Sequence, residues 1–337
     1  MTNTIIIAEI GVNHNGSVEL AKQLIDVAAS CGADFAKFQS FTADSLVTSN
    51  ASKAPYQVMN TKSDSTQHSM LKSLELSRES HFELKNYCKT KNIGFMTSSF
   101  DVKGINLVKD LQIEYLKIPS GEITNFLLLE KAADFKGKII LSTGMASLEE
   151  IGEALEVLLS KNNDKERISL LQCTTEYPAP LDSLNLLAMR TIKDTFKLNV
   201  GFSDHSLGSE AAVAAVALGA SVVEKHITLD NDMNGPDHKS SLMPDEFKLF
   251  VQMIRNVEKA LGSGIKYPSE PELKNIPIVR KSLVALKKIK IGEKFTRDNV
   301  GSKRPGYGIS PMFYLDFLGT CSREDYEPDD LIKPIDV

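Results

Sequence analysis

Five residues that can carry charge or ligate a cation recur at one kind of place: the end of a short apolar run, in phase with its apolar members. In the first run Ile5 and Ile7 precede Glu9; in the second, Phe35 precedes Lys37 and Gln39; in the fourth, Tyr115 precedes Lys117. In the seventh, Ser203 precedes His205, and in the eighth, Val222 and Glu224 precede His226. Side chains alternate along a strand, so each series shares one face. Charged groups gathered at one mouth are costly to bury unless they meet one another or a charged ligand. His205 and His226 would close adjacent strands about 4.8 Å apart, where two imidazoles can chelate one metal ion. A pair of imidazoles is equally compatible with two histidines capping a core; the neighbouring carboxylates suit an oxygen-loving Mn²⁺ or Mg²⁺ if a metal is held.

Two small-residue turns read as anion cradles, Ser120-Gly121-Glu122 after the fourth run and Ser142-Thr143-Gly144 after the fifth. Backbone N–H groups in such turns attract phosphate or carboxylate, and Lys37 and Lys117 would add neutralising charge. Together they point to an anionic, phosphorylated small substrate. His14, in the turn-rich Gly11-Val12-Asn13-His14-Asn15-Gly16, is a further candidate to line the site, and His238 a weaker one. His68 and His81 lie in polar or helical surface sequence and read as solvated. Lys303-Arg304-Pro305-Gly306-Tyr307-Gly308 reads as a cationic, solvated turn.

The elements that must position these residues form a repeated sentence over the first 230 residues: apolar run, polar turn, amphipathic helix. Eight strand-like runs occur, near residues 4–11 and from Phe35, Gly94, Tyr115, Lys138, Ile168, Val200 and Val222. Most are near-continuous apolar stretches, as parallel strands covered on both faces should be. Ser17 and Gly32 bracket one helix, Ser147 and Glu150 form a capping box for another, and an Ala-rich helix ends near Gly219. The alternation predicts a closed (β/α)₈ barrel, with its active site at the C-terminal ends of the strands. Residues 42–80 form a long polar connection of the kind used as a lid or binding loop. The expected organisation is a barrel over residues 1–262, a Gly/Pro-bearing linker over 263–277 and a small, mostly β domain over 278–337.

Composition sets the class. The chain has 337 residues, 42 % apolar and 25 % charged, which fits a soluble globular protein. A net charge of −5 gives no basic field for nucleic acid. Its four cysteines form no CxxC pair, so a thiolate zinc site is not expected. The N-terminus lacks a signal-peptide pattern, and the longest apolar stretch, residues 211–223, is too short to span a bilayer. A reducing cytoplasm is the expected compartment.

The ordered segments EIGVNHNG, AKFQS, KIPSGEITN, ILSTGMASLEE, CTTEYPAP, GFSDHSLG, EKHITLD, GPDHKSSL and KRPGYG resemble the sialic acid (nonulosonate) synthase family over nearly the whole chain. The resemblance implies a (β/α)₈ barrel with a C-terminal antifreeze-protein-like (SAF) domain, in a domain-swapped homodimer. It implies condensation of phosphoenolpyruvate with an N-acylated hexosamine, with release of phosphate and formation of a nine-carbon 2-keto sugar acid. By the same resemblance His205 and His226 would hold a divalent metal, usually Mn²⁺, with Mg²⁺ or Co²⁺ as alternatives. Lys37, Lys117, Ser120, Ser142 and Ser203 would surround phosphoenolpyruvate. Glu9, Gln39, Tyr177 and Asp237 would line the acceptor side, with Glu122 near a metal-bound water and Arg304 of a partner chain on the N-acyl group.

Two departures from the neuraminate branch bear on the acceptor: Thr175 stands where that branch has Asn, and Arg280 where it has Phe. The segments around Lys53–Gln57, Cys173–Pro180 and Ile278–Ala285 look more like the bacterial legionaminate-synthase branch. That implies 2,4-diacetamido-2,4,6-trideoxy-mannose as acceptor, with N-acetylmannosamine as the alternative. Two competing readings differ in kind. An aldol-type barrel making phosphorylated keto-deoxy acids would need a second basic cluster for an acceptor phosphate, and only Arg304 and its neighbours could supply one. A carbohydrate-binding protein on an inactive barrel would have no reason to keep Glu9, Lys37, Lys117, His205 and His226 together.

Overall fold

The computed structural model describes residues 3–61, 65–161 and 164–334. Contacts divide the chain into two units, Met1–Ser263 and Gly264–Val337. In the first, eight parallel strands close a barrel in chain order. They are β1 (Ile5–Gly11), β2 (Phe35–Ser40), β3 (Gly94–Ser99), β4 (Tyr115–Ile118), β5 (Lys138–Ser142), β6 (Ile168–Cys173), β7 (Asn199–Asp204) and β8 (Val222–His226). Each falls on one of the eight apolar runs, because both faces are covered. Along β1, Ile6, Ala8 and Ile10 turn outward into the core under the helices, while Ile7 turns inward. Inward residues Ile7, Met96, Tyr115, Ile140, Leu171 and Val222 fill the lower barrel as an apolar plug. The plug is tight: a Cβ on Gly201 would come within 2.4 Å of the Val222 carbonyl oxygen.

Local signals set the helix ends. Ser17 Oγ accepts the Leu20 N–H at 3.3 Å to open helix Val18–Cys31, and Gly32, at φ 87°, closes it in the left-handed region. Ser147 and Glu150 make the expected capping box of Leu148–Leu159. Helix Pro244–Leu261 buries Phe247, Phe250, Val251 and Ile254, each contributing about 1.5–3 kcal/mol of transfer free energy. The 42–80 connection is more ordered than its composition suggests. It contains helices Ala43–Leu46, Pro55–Thr61 and Gln67–Leu74, anchored on a small cluster of Val12, Phe41, Met70 and Leu74. Its residues 62–64 lie outside the described residues.

In the second unit, helix Glu270–Val279 occupies much of the stretch read as a linker. Ser269 caps it in a reciprocal box with Glu272, and the prolines at its start and at Pro277 disguised it as a breaker-rich connection. Strand β9 (Ser282–Ala285) pairs antiparallel with β10 (Val300–Lys303). The other β-like runs contribute single bridges, Lys294 to Cys321 and Val284 to Leu331. A separate core of Leu283, Ala285, Ile289, Phe295, Val300, Phe317, Tyr326 and Ile332 holds this unit. Among the described residues no helix is long and apolar enough to cross a membrane.

Candidate active site

The site lies two residues above the plug. A step of two along each strand keeps the inward face, so every strand presents one more inward side chain: Glu9, Lys37, Ser98, Lys117, Ser142, Cys173, Ser203 and Glu224. All eight are buried and line one cavity of about 670 Å³. Register fixes their order, with Glu9 opposite Lys37 on β2 and His226 on β8, and Ser203 opposite Glu224.

Charge in this layer is organised around two carboxylates and two ammonium groups. Lys37 Nζ lies 2.6 Å from Glu9 Oε2 and 3.4 Å from Glu224 Oε2, and donates to Ser98 Oγ at 2.8 Å. Lys117 Nζ donates to Ser142 Oγ at 2.7 Å and lies 3.8 Å from Glu224 Oε1. Ser203 Oγ donates to Glu224 Oε1 at 2.9 Å, and Gln39 Nε2 to Glu9 Oε1 at 3.0 Å. Burial opposes the charge on Glu224, but Lys117 and Lys37 together hold it below the ordinary carboxylate range. Burial lifts the Glu9 pKa, only partly countered by Lys37. Burial also lowers the Lys117 pKa, against the pull of Glu224. Glu224 thus binds both lysines. The in-phase pattern of the eighth run had already placed it on this face, yet it was not among the expected site residues. Ser98 and Cys173 were missed as well, because short neutral side chains carry no sequence signal of their own.

Above this layer stand the two imidazoles, ring centroids 5.6 Å apart. His205 Nδ1–H donates to the Thr174 carbonyl at 2.7 Å, which fixes the tautomer and leaves Nε2 unprotonated. Burial pushes its pKa down to about 4. His226 is driven well below its ordinary value, by burial first and then by His205. Its Nδ1 is buried without a hydrogen-bond partner and lies 4.0 Å from Asp237 Oδ2. The Asp237 carboxyl is raised to about 7 by burial and by Glu9. Tyr177 stacks on His205, centroids 4.2 Å apart, and Tyr56 on Tyr177 at 5.0 Å. The stack ties helix Pro55–Thr61 to the imidazoles, so the long connection does form part of the cavity wall.

The structure brings most expected site residues together. Glu9, Lys37, Gln39, Lys117, Ser120, Ser142, Thr175, Tyr177, Ser203, His205 and His226 all line the cavity. Asp237 lines an adjoining one. Glu122 is not on either wall; its Oε2 accepts from Asn125 Nδ2 at 2.7 Å. Arg304 is exposed in the second unit. The cradle expectation needs correction, because the N–H groups of Glu122, Thr143 and Gly144 already donate to Pro119 O, Leu171 O and Ser120 Oγ. The turns tie to each other and offer side chains instead. Gly144 is required for that closeness, since a Cβ there would meet Thr175 Oγ1 at 2.4 Å.

Among the other histidines, His14 is buried but faces its own loop, where Nδ1 accepts the Gly16 N–H at 3.0 Å, and it lines neither cavity. His238 is buried against Thr228 Oγ1 at 2.7 Å, also away from both. His81, expected in solvent, is 2 % exposed and bridges Ser40 Oγ and the Ser77 carbonyl behind β2. His68 is partly exposed and meets Asp44 Oδ1 at 2.8 Å.

Residues 24–266 match the model of the NeuB family, and residues 280–337 match that of the SAF domain. The chain belongs to the NeuB family. It is 53 % identical over 333 residues, 99 % of this chain and 100 % of the relative, to the N,N'-diacetyllegionaminic acid synthase of Campylobacter jejuni. It is 44 % identical to the protein of the same name from Legionella pneumophila, over 94 % of this chain and 89 % of that one. The solved N-acetylneuraminic acid synthetase of Leptospira borgpetersenii, in complex with citrate, superposes with a TM-score of 0.71 at 34 % identity, covering 82 % of this chain and 90 % of that one. This NeuB-family barrel therefore carries its charged layer in an enzyme lineage of synthases.

Proposed function

We propose that the barrel condenses phosphoenolpyruvate with the open-chain form of an N-acylated mannosamine-type sugar, giving a nonulosonic acid and phosphate. The acceptor is 2,4-diacetamido-2,4,6-trideoxy-mannose and the product N,N'-diacetyllegionaminate. One observation carries this reading: a buried layer of Glu9, Lys37, Lys117 and Glu224 under two neutral imidazoles, in a chain that matches legionaminic acid synthases along its full length.

The donor set fits a divalent ion. His205 is pinned by a carbonyl on one nitrogen, as metal-binding histidines are, with its other nitrogen 3.3 Å from Ser203 Oγ, and His226 offers a buried nitrogen with no partner. The two lysines are balanced by two carboxylates, so a ligand carrying phosphate and carboxylate brings surplus negative charge that a cation would offset. No group of three His, Cys, Asp or Glu side chains gathers among the described residues, which leaves further positions to water and substrate. We take the ion to be Mn²⁺, held by His205 and His226. When bound, it supplies Lewis-acid polarisation of the acceptor's C1 aldehyde.

The chain's own residues do the rest. Lys37 and Lys117, with Ser120, Ser142 and Ser203, face the phosphate and carboxylate of phosphoenolpyruvate. They hold its C3 in position to attack the aldehyde carbon. Water adds at C2 as positive charge develops there, and the C2–O bond to phosphate breaks. Glu9 is on the cavity wall with a raised pKa, which suits it to take the proton of that water; Glu122 is set back behind Asn125. Lys117 stabilises the charge that leaves with phosphate. Arg304 of a second copy of the chain would bind the acceptor's N-acyl group, in a domain-swapped homodimer. The cytoplasm is the compartment, in keeping with four unpaired cysteines.

The test is phosphate release from phosphoenolpyruvate with Mn²⁺ and each candidate sugar. The reading requires release that depends on the acceptor and is fastest with the 2,4-diacetamido sugar. Absence of release with every N-acyl hexosamine would overturn it.

A further inference from the structure

Beside the catalytic cavity lies an annex of about 270 Å³. The two share Gln39, Tyr56, Gln57, Gln67, Tyr177 and His226, so a ligand held at the imidazoles can extend into it. The far wall of the annex is apolar, made by Phe41, Leu46, Val47, Met70, Leu71 and Leu74. Most of this wall comes from the 42–80 connection, which hangs on the imidazoles through the Tyr56–Tyr177 stack and on the loop after β8 through Asn60 Nδ2, donating to Pro236 O at 2.6 Å. The near rim is made of amides: Gln57 Oε1 accepts the Ala54 N–H at 3.0 Å and lies 3.4 Å from Gln67 Nε2. No lysine or arginine is among the annex residues; Asp237 is its carboxyl group.

An amide rim backed by a hydrocarbon wall has the polarity of an acetamido group, whose C=O and N–H sit one bond from a methyl. A 6-deoxy carbon suits the same wall. A 6-hydroxyl would lose its water against that wall without a partner, and a phosphate would face the Asp237 carboxyl with no lysine or arginine to meet it. We propose that the annex receives the methyl-bearing substituents of the acceptor, and that Leu46, Val47 and Leu71 select an unphosphorylated, acylated deoxy sugar over hydroxylated or phosphorylated hexosamines. This rests on the reading of the catalytic cavity given above and adds the part of the chain that chooses the sugar.

The experiment compares kcat/KM for 2,4-diacetamido-2,4,6-trideoxy-mannose, N-acetylmannosamine and N-acetylmannosamine 6-phosphate in the full chain with Mn²⁺. Apolar pockets discriminate a methyl by roughly 10- to 200-fold. The wild type is expected to prefer the first sugar over the second by at least about tenfold and to use the phosphorylated one least. Val47→Thr, nearly isosteric, and Leu71→Asn should each lower that preference about 3- to 30-fold while the KM for phosphoenolpyruvate stays within about twofold. Should Leu71→Asn fail to fold by its melting curve, Val47→Thr carries the comparison. An unchanged preference in a folded variant, or efficient use of the phosphorylated sugar, overturns the annex assignment. A wild type that releases no phosphate with any of the three overturns the condensation itself, and the annex assignment with it.

Discussion

The two units handle charge in opposite ways. The barrel buries Glu9, Lys37, Lys117 and Glu224, the five histidines His14, His81, His205, His226 and His238, and the Asp204–Lys225 pair at 2.9 Å with both side chains 0 % exposed. The C-terminal unit keeps its ion pairs, such as Lys290 with Asp325 at 2.6 Å and Lys333 with Glu324 at 2.7 Å, on its surface. Its buried polar residues are neutral: Ser282, Asn299 and Ser322. A buried charge costs several kcal/mol that surface pairs avoid, and hydrophobic packing could stabilise the same fold more cheaply. The charge buried inside the barrel mouth, unlike the Asp204–Lys225 pair, lines a cavity, and the proposed chemistry rests on it. Among its described residues the small unit shows no such buried charge, and its Arg304 is exposed.

The contrast would break first at Glu224. Glu224→Gln removes the charge that both lysines share and should lower kcat/KM about 10³-fold, with Glu224→Ala also costing about 3–5 kcal/mol in stability because Lys117 loses its carboxylate and Lys37 keeps only Glu9. Steady-state kinetics and urea unfolding read the two effects. Wild-type rates in Glu224→Gln would make the layer a structural ion-pair network. Next come the imidazoles. His205→Ala and His226→Ala should each lose Mn²⁺ in equilibrium dialysis and lower activity about 10²-fold or more, as should a chelator on the wild type. Full turnover in metal-free buffer would remove the ion from the mechanism.

A smaller effect separates the units by pH. The second unit has no histidine. In the barrel, burial lowers the His14 pKa from 6.5 to about 4. Between those values the unfolded chain binds a proton that the folded chain refuses. The contribution is intact above pH 6.5 and shrinks as pH falls towards 4, by about 2 kcal/mol between pH 7 and 5. His14→Gln should flatten the pH dependence of barrel unfolding by that amount and leave hydrogen-exchange protection of the small unit unchanged. An equal slope in wild type and variant would contradict the shift. The least effect is expected at the surface: Lys290→Ala should cost the small unit at most about 1 kcal/mol, less at high salt.

The barrel was legible because its strands must be apolar on both faces, and the site because a two-residue step carries that face from Ile7 to Glu9 and from Val222 to Glu224. Parity finds what points inward; it does not say which inward groups meet. That Glu224 is joined to both lysines depends on barrel closure, which brings β8, β2 and β4 together and which no local pattern encodes. The length of the 42–80 connection alone pointed to it, and part of it does line the candidate site. Its apolar annex was not legible, because Leu46 and Leu71 lie in helices too short to show a period and Val47 just past the end of one. His81 was misjudged for a related reason: its helix is polar overall, and its buried partner Ser40, itself bonded to Thr97, comes from distant sequence.

Condensation at this layer requires the C–O bond of phosphoenolpyruvate to break, rather than the P–O bond. Phosphoenolpyruvate labelled with oxygen-18 at the bridging position, turned over with Mn²⁺ and the 2,4-diacetamido sugar, follows that bond directly by mass spectrometry. The label should leave in inorganic phosphate, with none in the keto acid; label retained in the keto acid would contradict water addition at C2 and the roles given to Lys37, Lys117 and Glu9.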